Sequence, residues 1–393
     1  MKKNNYLEII GILSLSLLLT SSFAVSSCVP EMMKTFSGYD RSAVEFLISS
    51  PSIAMVIMIA LTPILSKYLS ERFIVVSGLL ILGVCGVAPI FTDSYPIISA
   101  TRILMGVGIG LLNAKAISLI GERFTGNLRS RLQGIRCSME TIGQSTLMFI
   151  AGQLLLLGWN YAFLIYAPAF VILFMYLMFV PAKATACDDE KHTAPAAGGA
   201  GKTSPINARD MKFILQNFLL GYSLVSAAVL ISLRITSYIV DSGIGTATDG
   251  ATTMSISVFA GFLAGLVFGK LFERLNSRLL PLSLLFIAIG NAAIGFGTSL
   301  PVVMLGACIS NFCITLGTSY MFNGLSEHIS TEALNTANSV VLIGCNLASC
   351  TISFILQAIG LISPKLSAGF VAYALVYLIL AVMIFLKQRL KAN

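Results

Sequence analysis

The sequence predicts an all-α membrane protein with twelve transmembrane helices, arranged as two six-helix halves. Roughly twelve apolar stretches follow one another along the chain, each close to the ~20 residues that a helix needs to cross a bilayer. A polar segment separates the first six stretches from the last six. Only 11% of the residues are charged and 56% are hydrophobic, against about 25% charged in soluble domains. This composition excludes a soluble fold.

The ends of the apolar stretches give the helix boundaries. The predicted transmembrane helices cover residues 8–30, 42–66, 73–91, 96–121, 132–157, 160–180, 212–239, 251–271, 279–298, 301–325, 336–362 and 367–387. The polar segment lacks apolar periodicity and contains clustered glycines, which is typical of a flexible linker. The chain therefore divides into an N-terminal half (1–180), a cytoplasmic linker (181–210) and a C-terminal half (211–393).

The distribution of basic residues orients the helices. With the N-terminus inside, most of the 25 Lys and Arg residues lie in cytoplasmic segments. Only Lys34, Arg41 and Lys365 fall outside, and three more lie within helices. This asymmetry follows the positive-inside rule and places both termini in the cytoplasm. Loop positions, rather than an anionic partner such as nucleic acid, explain the net charge of +8.

The first apolar stretch follows Lys2 and Lys3 and imitates a secretion signal. Because further spans follow it and their loop charges agree, we expect an uncleaved first helix in a multi-pass protein of a bacterial-type inner membrane. The eight cysteines have no metal-ligand spacing, and the chain offers no nucleophile–base set. We therefore expect neither a metal site nor an enzyme.

The two halves share a short pattern. Residues 91–96 and 296–301 both read F-x-x-S-x-P, at an offset of 205 residues. The same offset relates Glu122 to Glu327, each at the end of the helix that follows. The match indicates a duplication of six helices, an architecture in which transporters bind substrate near the bilayer midplane.

The loop after the eighth helix contains a recognisable motif. It reads Gly269-Lys-Leu-Phe-Glu273-Arg274-Leu-Asn-Ser-Arg278: a glycine, then an acid, a base and a further basic residue. This resembles the cytoplasmic signature of the major facilitator superfamily. The resemblance implies that the loop latches the two halves in one conformational state.

The loop after the second helix carries an altered copy of this motif. Lys67 and Arg72 keep its basic character, whereas Thr62 replaces the glycine and Ser66 replaces the acid. The missing acid weakens the latch function that the resemblance implies for this copy.

The fourth and fifth helices bear on the type of transporter. Arg102, followed by Gly106, Gly108 and Gly110, resembles the arginine motif of the superfamily's fourth helix, and the glycines suit close helix packing. The fifth helix lacks the Gly-Pro pair that marks many drug antiporters of the superfamily, which argues against drug efflux.

Three cations, Arg102, Lys115 and Arg234, lie well inside predicted helices, and Glu140 is the acid most clearly embedded. Three other acids, Glu8, Glu31 and Glu45, lie near helix ends. Such groups are costly in a bilayer and are functional candidates by default. The first, fourth, seventh and tenth helices line the central cavity in the superfamily, which implies that Arg102 and Arg234 contact substrate. If the three cations and Glu140 all face the cavity, its net charge is positive and favours an anionic substrate. The alternative for Arg234 is snorkelling to the outer interface.

Lys115 and Glu140 lie at similar distances, about 12–13 residues, from the loop between the fourth and fifth helices, and so at similar depth. We predict that they form a buried pair, either as a structural tie between the helices or as a proton or substrate switch. Arg136, four residues before Glu140, is a competing partner on the same helix.

Neutral polar side chains outline a candidate substrate site on several helices. Each has interhelical hydrogen bonding as its alternative role. The candidates are Tyr222, Ser226, Asn311, Thr315, Thr318 and Gln144.

The sequence thus predicts a secondary active transporter that moves a small organic solute, anionic on the charge argument, by alternating access. No ATP-binding loop is present, so we expect a proton gradient as the driving force, with Glu140 as proton carrier and Arg102 or Lys115 tuning it. No cofactor is implied. The alternatives are a multidrug/proton antiporter and, from another class, a transporter-fold sensor or a lipid flippase. We expect a monomer in the bilayer whose partner is a small-molecule substrate.

Overall fold

The computed structural model describes residues 3–66, 68–124, 126–181, 208–329 and 331–392, and every regular element in these ranges is helical. The first seven α-helices are α1 (Lys3–Ser14), α2 (Val29–Thr35), α3 (Arg41–Leu65), α4 (Glu71–Val87), α5 (Tyr95–Arg123), α6 (Gly126–Leu154) and α7 (Pro168–Phe179). The other six are α8 (Ala208–Asp241), α9 (Ala247–Leu275), α10 (Leu279–Phe296), α11 (Leu300–His328), α12 (Thr331–Ile362) and α13 (Ser367–Ala392). Short 3-10 segments lie at Leu15–Leu18, Ser21–Phe23, Ser26–Cys28, Ala88–Phe91, Leu155–Leu157, Trp159–Tyr166 and Asn276–Arg278.

The repeated F-x-x-S-x-P pattern marks the start of a helix in both places. Ser94 is the N-cap of α5, and Pro96 lies in its first turn. Ser299 and Pro301 have the same positions at the start of α11. Proline suits a first turn, where its missing N–H would have no intrahelical acceptor and its fixed φ is already helical.

The first predicted helix, 8–30, is broken. It consists of α1, three 3-10 segments and α2, with a bend of 41° between Tyr6–Leu18 and Ser21–Thr35. Serine hydroxyls in this stretch bond to the backbone: Ser14 Oγ donates to Gly11 O at 2.9 Å and Ser21 Oγ to Leu18 O at 2.6 Å. Such bonds compete with the regular helical ladder. The apolar length of this stretch was predicted correctly, but its continuity was not.

Within the described ranges, nine helical segments are long and apolar enough to cross a membrane, and the bent first pair makes a tenth candidate. One of the nine, Ala247–Phe296, contains both α9 and α10. Helix α6 is not among the nine because polar residues recur along it.

The chain forms two compact units. Unit 1 contains the described residues of 1–25 and 47–203, and unit 2 contains those of 26–46 and 204–393. The division passes through α3, after Phe46. Residues 26–46 thus pack with the C-terminal helices. They include the first five residues of the second predicted helix, 42–66, which the sequence assigns to the N-terminal half.

A close contact in unit 1 gives a testable consequence. A Cβ added at Gly143 on α6 would lie 2.7 Å from Leu17 Cα, so Gly143→Ala must displace backbone. We expect this change to lower the free energy of unfolding by about 1–3 kcal/mol. Gly134→Ala, on the same helix with nothing within 4 Å of its Cβ, is the control and should be neutral or mildly stabilising. Equal melting temperatures for the two purified variants would contradict the contact.

Candidate functional site

Arg102 on α5 is fully buried in unit 1, at 0% exposure. Its Nε donates to Leu47 O on α3 at 3.0 Å. In a regular helix this carbonyl would accept from the N–H of residue 51, but residue 51 is Pro51 and has no N–H. The arginine therefore satisfies a carbonyl that the proline leaves without its helical donor. Gly106, one turn along α5, lets the two helices approach, since a Cβ there would lie 2.7 Å from Pro51 Cα.

The rest of the Arg102 guanidinium binds the broken first helix. Nη2 donates to Ser22 O at 2.6 Å, and Nη1 donates to the Tyr166 hydroxyl at 2.9 Å. Tyr166 in turn donates to Ser21 O at 2.9 Å. The Phe163 ring lies 5.8 Å from the guanidinium carbon, within cation–π range. The guanidinium donors of Arg102 thus serve protein acceptors in a buried site. Its predicted roles, contact with substrate and tuning of Glu140, stay predictions.

A polar stripe runs along α6 in the same unit. Arg136, Glu140 and Gln144 recur every fourth residue, and Arg136 Nη1 lies 3.1 Å from Glu140 Oε2. The backbone carbonyl of Glu140 accepts from Thr20 Oγ1, beside the break in the first helix, at 3.3 Å. Glu140 therefore pairs with Arg136, the competing partner, rather than with Lys115. Lys115 is buried on α5 and has interactions of its own.

Unit 2 holds a buried ion pair between α3 and α8. Arg234 Nε lies 3.1 Å from Glu45 Oε1, and the two side chains are 7% and 0% exposed. Arg234 Nη2 also approaches Glu45 Oε2 and Leu356 O, at 3.4 Å each. Arg234 is therefore buried, and its charge is balanced by Glu45. Arg102 and Arg234 thus both have protein partners for their guanidinium groups, and the positively charged cavity stays a prediction.

A second ion pair joins the same two helices. Arg41 Nη2 lies 2.8 Å from Asp241 Oδ2, and both side chains are substantially exposed. The signs alternate on both helices, Arg41 before Glu45 on α3 and Arg234 before Asp241 on α8, at spacings of one and two helical turns. This complementary pattern is visible in the sequence and was the signal that could have identified Glu45.

The hydroxyl-bearing candidates on α8 are bonded to groups on α8 itself and on neighbouring helices. The Tyr222 hydroxyl lies 2.7 Å from Thr351 Oγ1 on α12. Ser226 Oγ donates to Ser223 O at 2.8 Å. Ser223 Oγ donates to the Tyr377 hydroxyl on α13, which itself donates to Ser223 O. The sequence singled out Tyr222 and Ser226 but not their partners.

The candidates on α11 are bonded to α9 and to their own helix. Asn311 Nδ2 donates to Ser257 Oγ on α9 at 3.0 Å. Thr315 Oγ1 donates to Asn311 O, and Thr318 Oγ1 donates to Thr315 O, each at 3.0 Å. A Cβ at Gly261 of α9 would lie 2.9 Å from Thr315 Oγ1. These contacts favour the interhelical alternative for Asn311.

Four of the predicted latch residues are exposed near the turn between α9 and α10: Gly269, Glu273 and Arg274 lie in the last two turns of α9, and Arg278 ends the 3-10 turn that follows. The turn is closed by Asn276, whose φ of 44° is left-handed and is tolerated by asparagine. In unit 1, Arg72 Nη2 donates to Leu177 O at 3.2 Å. Lys67 lies outside the described residues.

Sequence reasoning also missed a charged cluster in unit 1. Arg123, at the end of α5, donates to Glu8 Oε1 on α1 at 2.6 Å and to Glu71 Oε1 at the start of α4. The Tyr176 hydroxyl donates to the same Glu71 oxygen at 3.4 Å. The cluster ties four helices of the unit together. No group of three or more His, Cys, Asp or Glu that could hold a metal ion occurs among the described residues.

Comparison with known proteins identifies the family. The model of the Major Facilitator Superfamily matches residues 11–352, most of the chain. The chain belongs to the Major Facilitator Superfamily. It is therefore a multi-pass membrane transport protein and not an enzyme. No curated protein matches the sequence.

Solved structures of superfamily members share the fold along nearly the whole chain. A POT family transporter in complex with a thioalcohol-conjugated peptide is 13% identical with a TM-score of 0.78, covering 98% of this chain and 96% of that one. The nucleoside transporter NupG is 14% identical with a TM-score of 0.74, covering 97% and 99%. The inward-open xylose transporter XylE from E. coli is 16% identical with a TM-score of 0.71, covering 97% and 95%.

Proposed function

We propose that this superfamily member is a secondary active transporter that moves a small organic solute across a bacterial inner membrane by alternating access. The observation that carries the proposal is the family match over residues 11–352, with transporter folds aligned along 97% or more of the chain. Alternating access around a site between two repeats is the working mode of such folds.

The proposed topology has twelve spans, with both termini in the cytoplasm. Nine apolar segments supply ten spans, because one of them contains both α9 and α10. The bent first pair and α6 supply the other two. The proposed halves remain 1–180 and 211–393, joined by the linker 181–210. The loop charges support the orientation.

The proposed solute is small and hydrogen-bonding, with no requirement for negative charge. Arg234 is balanced by Glu45, and Arg102 serves backbone carbonyls. Hydroxyl groups instead supply the polar character of α8, through Tyr222 and Ser226. Hydroxyls both donate and accept, and they can exchange a protein partner for a solute hydroxyl or amide.

A thermal-shift screen of the purified protein against neutral and anionic metabolites tests this proposal. A ligand that binds only the folded protein stabilises it in proportion to ln(1 + [L]/Kd). We expect the stabilising compounds to be small polar solutes that also support counterflow in proteoliposomes. Stabilisation by hydrophobic drugs alone, without counterflow of any polar solute, would overturn the proposal.

Proton coupling through Glu140 gives a specific prediction. Glu140→Gln keeps the size of the side chain but cannot bind or release a proton. We expect gradient-driven accumulation of the solute to be abolished, while solute exchange in the absence of a gradient persists. Uptake and counterflow in the same proteoliposomes measure the two activities.

The matched control is Glu31→Gln, which removes a carboxylate of an exposed i, i+3 pair with Lys34. It should accumulate solute like the unmodified protein. Full accumulation by Glu140→Gln would exclude Glu140 as the proton carrier.

A further inference from the structure

Residues 26–46, here called the docked segment, leave the first helix and pack within unit 2. The 3-10 turn Ser26–Cys28 contacts α8 and α9, and α2 contacts α8. At the other end of the segment, the ring of Phe46 lies 6.2 Å from that of Phe354 on α12. The docked segment thus contacts the C-terminal helices at both of its ends.

The two ion pairs of the docked segment differ in their surroundings. Arg41 and Asp241 have side chains 30% and 45% exposed, and such surface pairs contribute little. Glu45 and Arg234 are almost entirely removed from solvent. When one partner of a buried pair loses its charge, the other is left uncompensated, which is strongly unfavourable. The attachment of the segment to α8 therefore depends on the charge of the Glu45 carboxylate.

Only one member of the buried pair can change its charge. Arginine stays protonated at any physiological pH, whereas a carboxylate can take up a proton. Among the described residues, Arg234 on α8 and Arg41 one turn earlier on α3 place positive charge near Glu45, and Arg41 is itself bound to Asp241. Around Arg234, α12 contributes the Leu356 carbonyl, which does not titrate.

We propose that Glu45 is a proton-binding site of the transport cycle, and that a proton on its carboxylate releases the docked segment from α8. One proton from solution forms an O–H bond with a Glu45 carboxylate oxygen, and no other covalent bond changes. Arg234 keeps its charge and its bond to Leu356 O. When the docked segment separates, water solvates the Arg234 guanidinium in place of the Glu45 carboxylate. Proton binding is thereby coupled to separation of the segment from α8. This inference rests on the proposed function, which supplies the proton-driven transport cycle in which Glu45 would bind a proton.

Cys28 is a native reporter of this release. It lies in the docked segment and is 0% exposed, so a maleimide reaches it only when the segment separates. The alkylation rate of Cys28, read by peptide mass spectrometry on protein in nanodiscs, requires no transported solute. The measurement is therefore independent of the assays that test the proposed function.

Glu45→Gln mimics the protonated carboxylate and should raise the Cys28 alkylation rate about tenfold or more at alkaline pH, as expected for a shifted docked–released equilibrium. On acidification, the rate of the unmodified protein should approach that of Glu45→Gln. The ratio of the two rates cancels the titration of the thiol itself. Glu31→Gln, the same substitution elsewhere in the segment, should leave the rate unchanged.

Equal Cys28 rates in Glu45→Gln and the unmodified protein, or a ratio that does not change with pH, would overturn the proposal. If Glu45→Gln does not fold, Ser37→Cys provides a second measurement in a chain that retains Glu45. Ser37 lies in the exposed loop between α2 and α3, so its cysteine is a reference for thiol chemistry. The Cys28 rate relative to this reference should rise as pH falls, and a constant relative rate would overturn the proposal.

Discussion

Arg102→Lys is expected to destabilise the protein by about 3 kcal/mol or more, because buried acceptors left without a donor cost ~1–3 kcal/mol each. The guanidinium fork serves Leu47 O, Ser22 O and the Tyr166 hydroxyl in different directions. An ammonium group is a single point of charge and cannot span them. Thermal unfolding of the purified protein, together with the folded yield in membranes, measures the effect.

Arg136→Lys is the matched control for this substitution. Its i, i+4 pair with Glu140 is a single ion pair, 11% and 22% exposed, which a lysine ammonium can also form, so we expect a much smaller loss than for Arg102→Lys. A similar loss of stability in the two variants would show that the acceptors around Arg102 are not what requires an arginine.

Pro51→Ala tests the origin of the Arg102 requirement. Alanine restores the N–H that can bond to Leu47 O, so the Arg102→Lys substitution should cost about 1 kcal/mol less in this background. If the effects of the two substitutions on stability are strictly additive, Arg102 does not replace the donor that Leu47 O lacks because of Pro51.

Arg234→Met is expected to have the second large effect, a loss of about 3–5 kcal/mol, since it leaves the Glu45 carboxylate buried without its cation. The double variant Glu45→Met with Arg234→Met should recover most of that loss, because a buried pair replaced by apolar side chains is often neutral in stability. Thermal unfolding of the two single variants and the double variant completes the cycle.

The exposed pair provides the control for this cycle. Arg41→Met removes the partner of Asp241 and should cost no more than ~1 kcal/mol. A double variant as unstable as the sum of its single variants would contradict direct coupling between Glu45 and Arg234.

The sequence predicted helix boundaries well where the length of the apolar run agrees with the capping residues that mark a helix start. The predicted helix 301–325 corresponds to α11, Leu300–His328, and 367–387 corresponds to α13, Ser367–Ala392. In α11, an apolar run of spanning length follows a serine N-cap and a first-turn proline, so two independent signals identify its start. The break at Leu15–Cys28 escaped because hydropathy does not distinguish a regular helix from 3-10 turns of the same residues.

The partners of the buried charges were not predictable with the same success. The acceptors of Arg102 are mainly backbone carbonyls, which every residue has, so the sequence does not mark them. Glu45 and Arg234 are 189 positions apart, and their contact depends on how α3 and α8 are rotated. Lys115 and Glu140 illustrate the same limit: helical rise predicts a similar depth for the two residues, but depth alone does not select a partner, and Glu140 pairs with Arg136.

The most direct test of the central claim, proton-coupled secondary transport, is proton movement driven by solute alone. Proteoliposomes containing the protein and a trapped pH-sensitive dye receive, one at a time, the solutes that raise its melting temperature. We predict that at least one solute changes the internal pH when its own gradient is the sole driving force, and that Glu140→Gln abolishes this change while solute exchange continues. If every such solute crosses the membrane without moving protons, the coupling is contradicted.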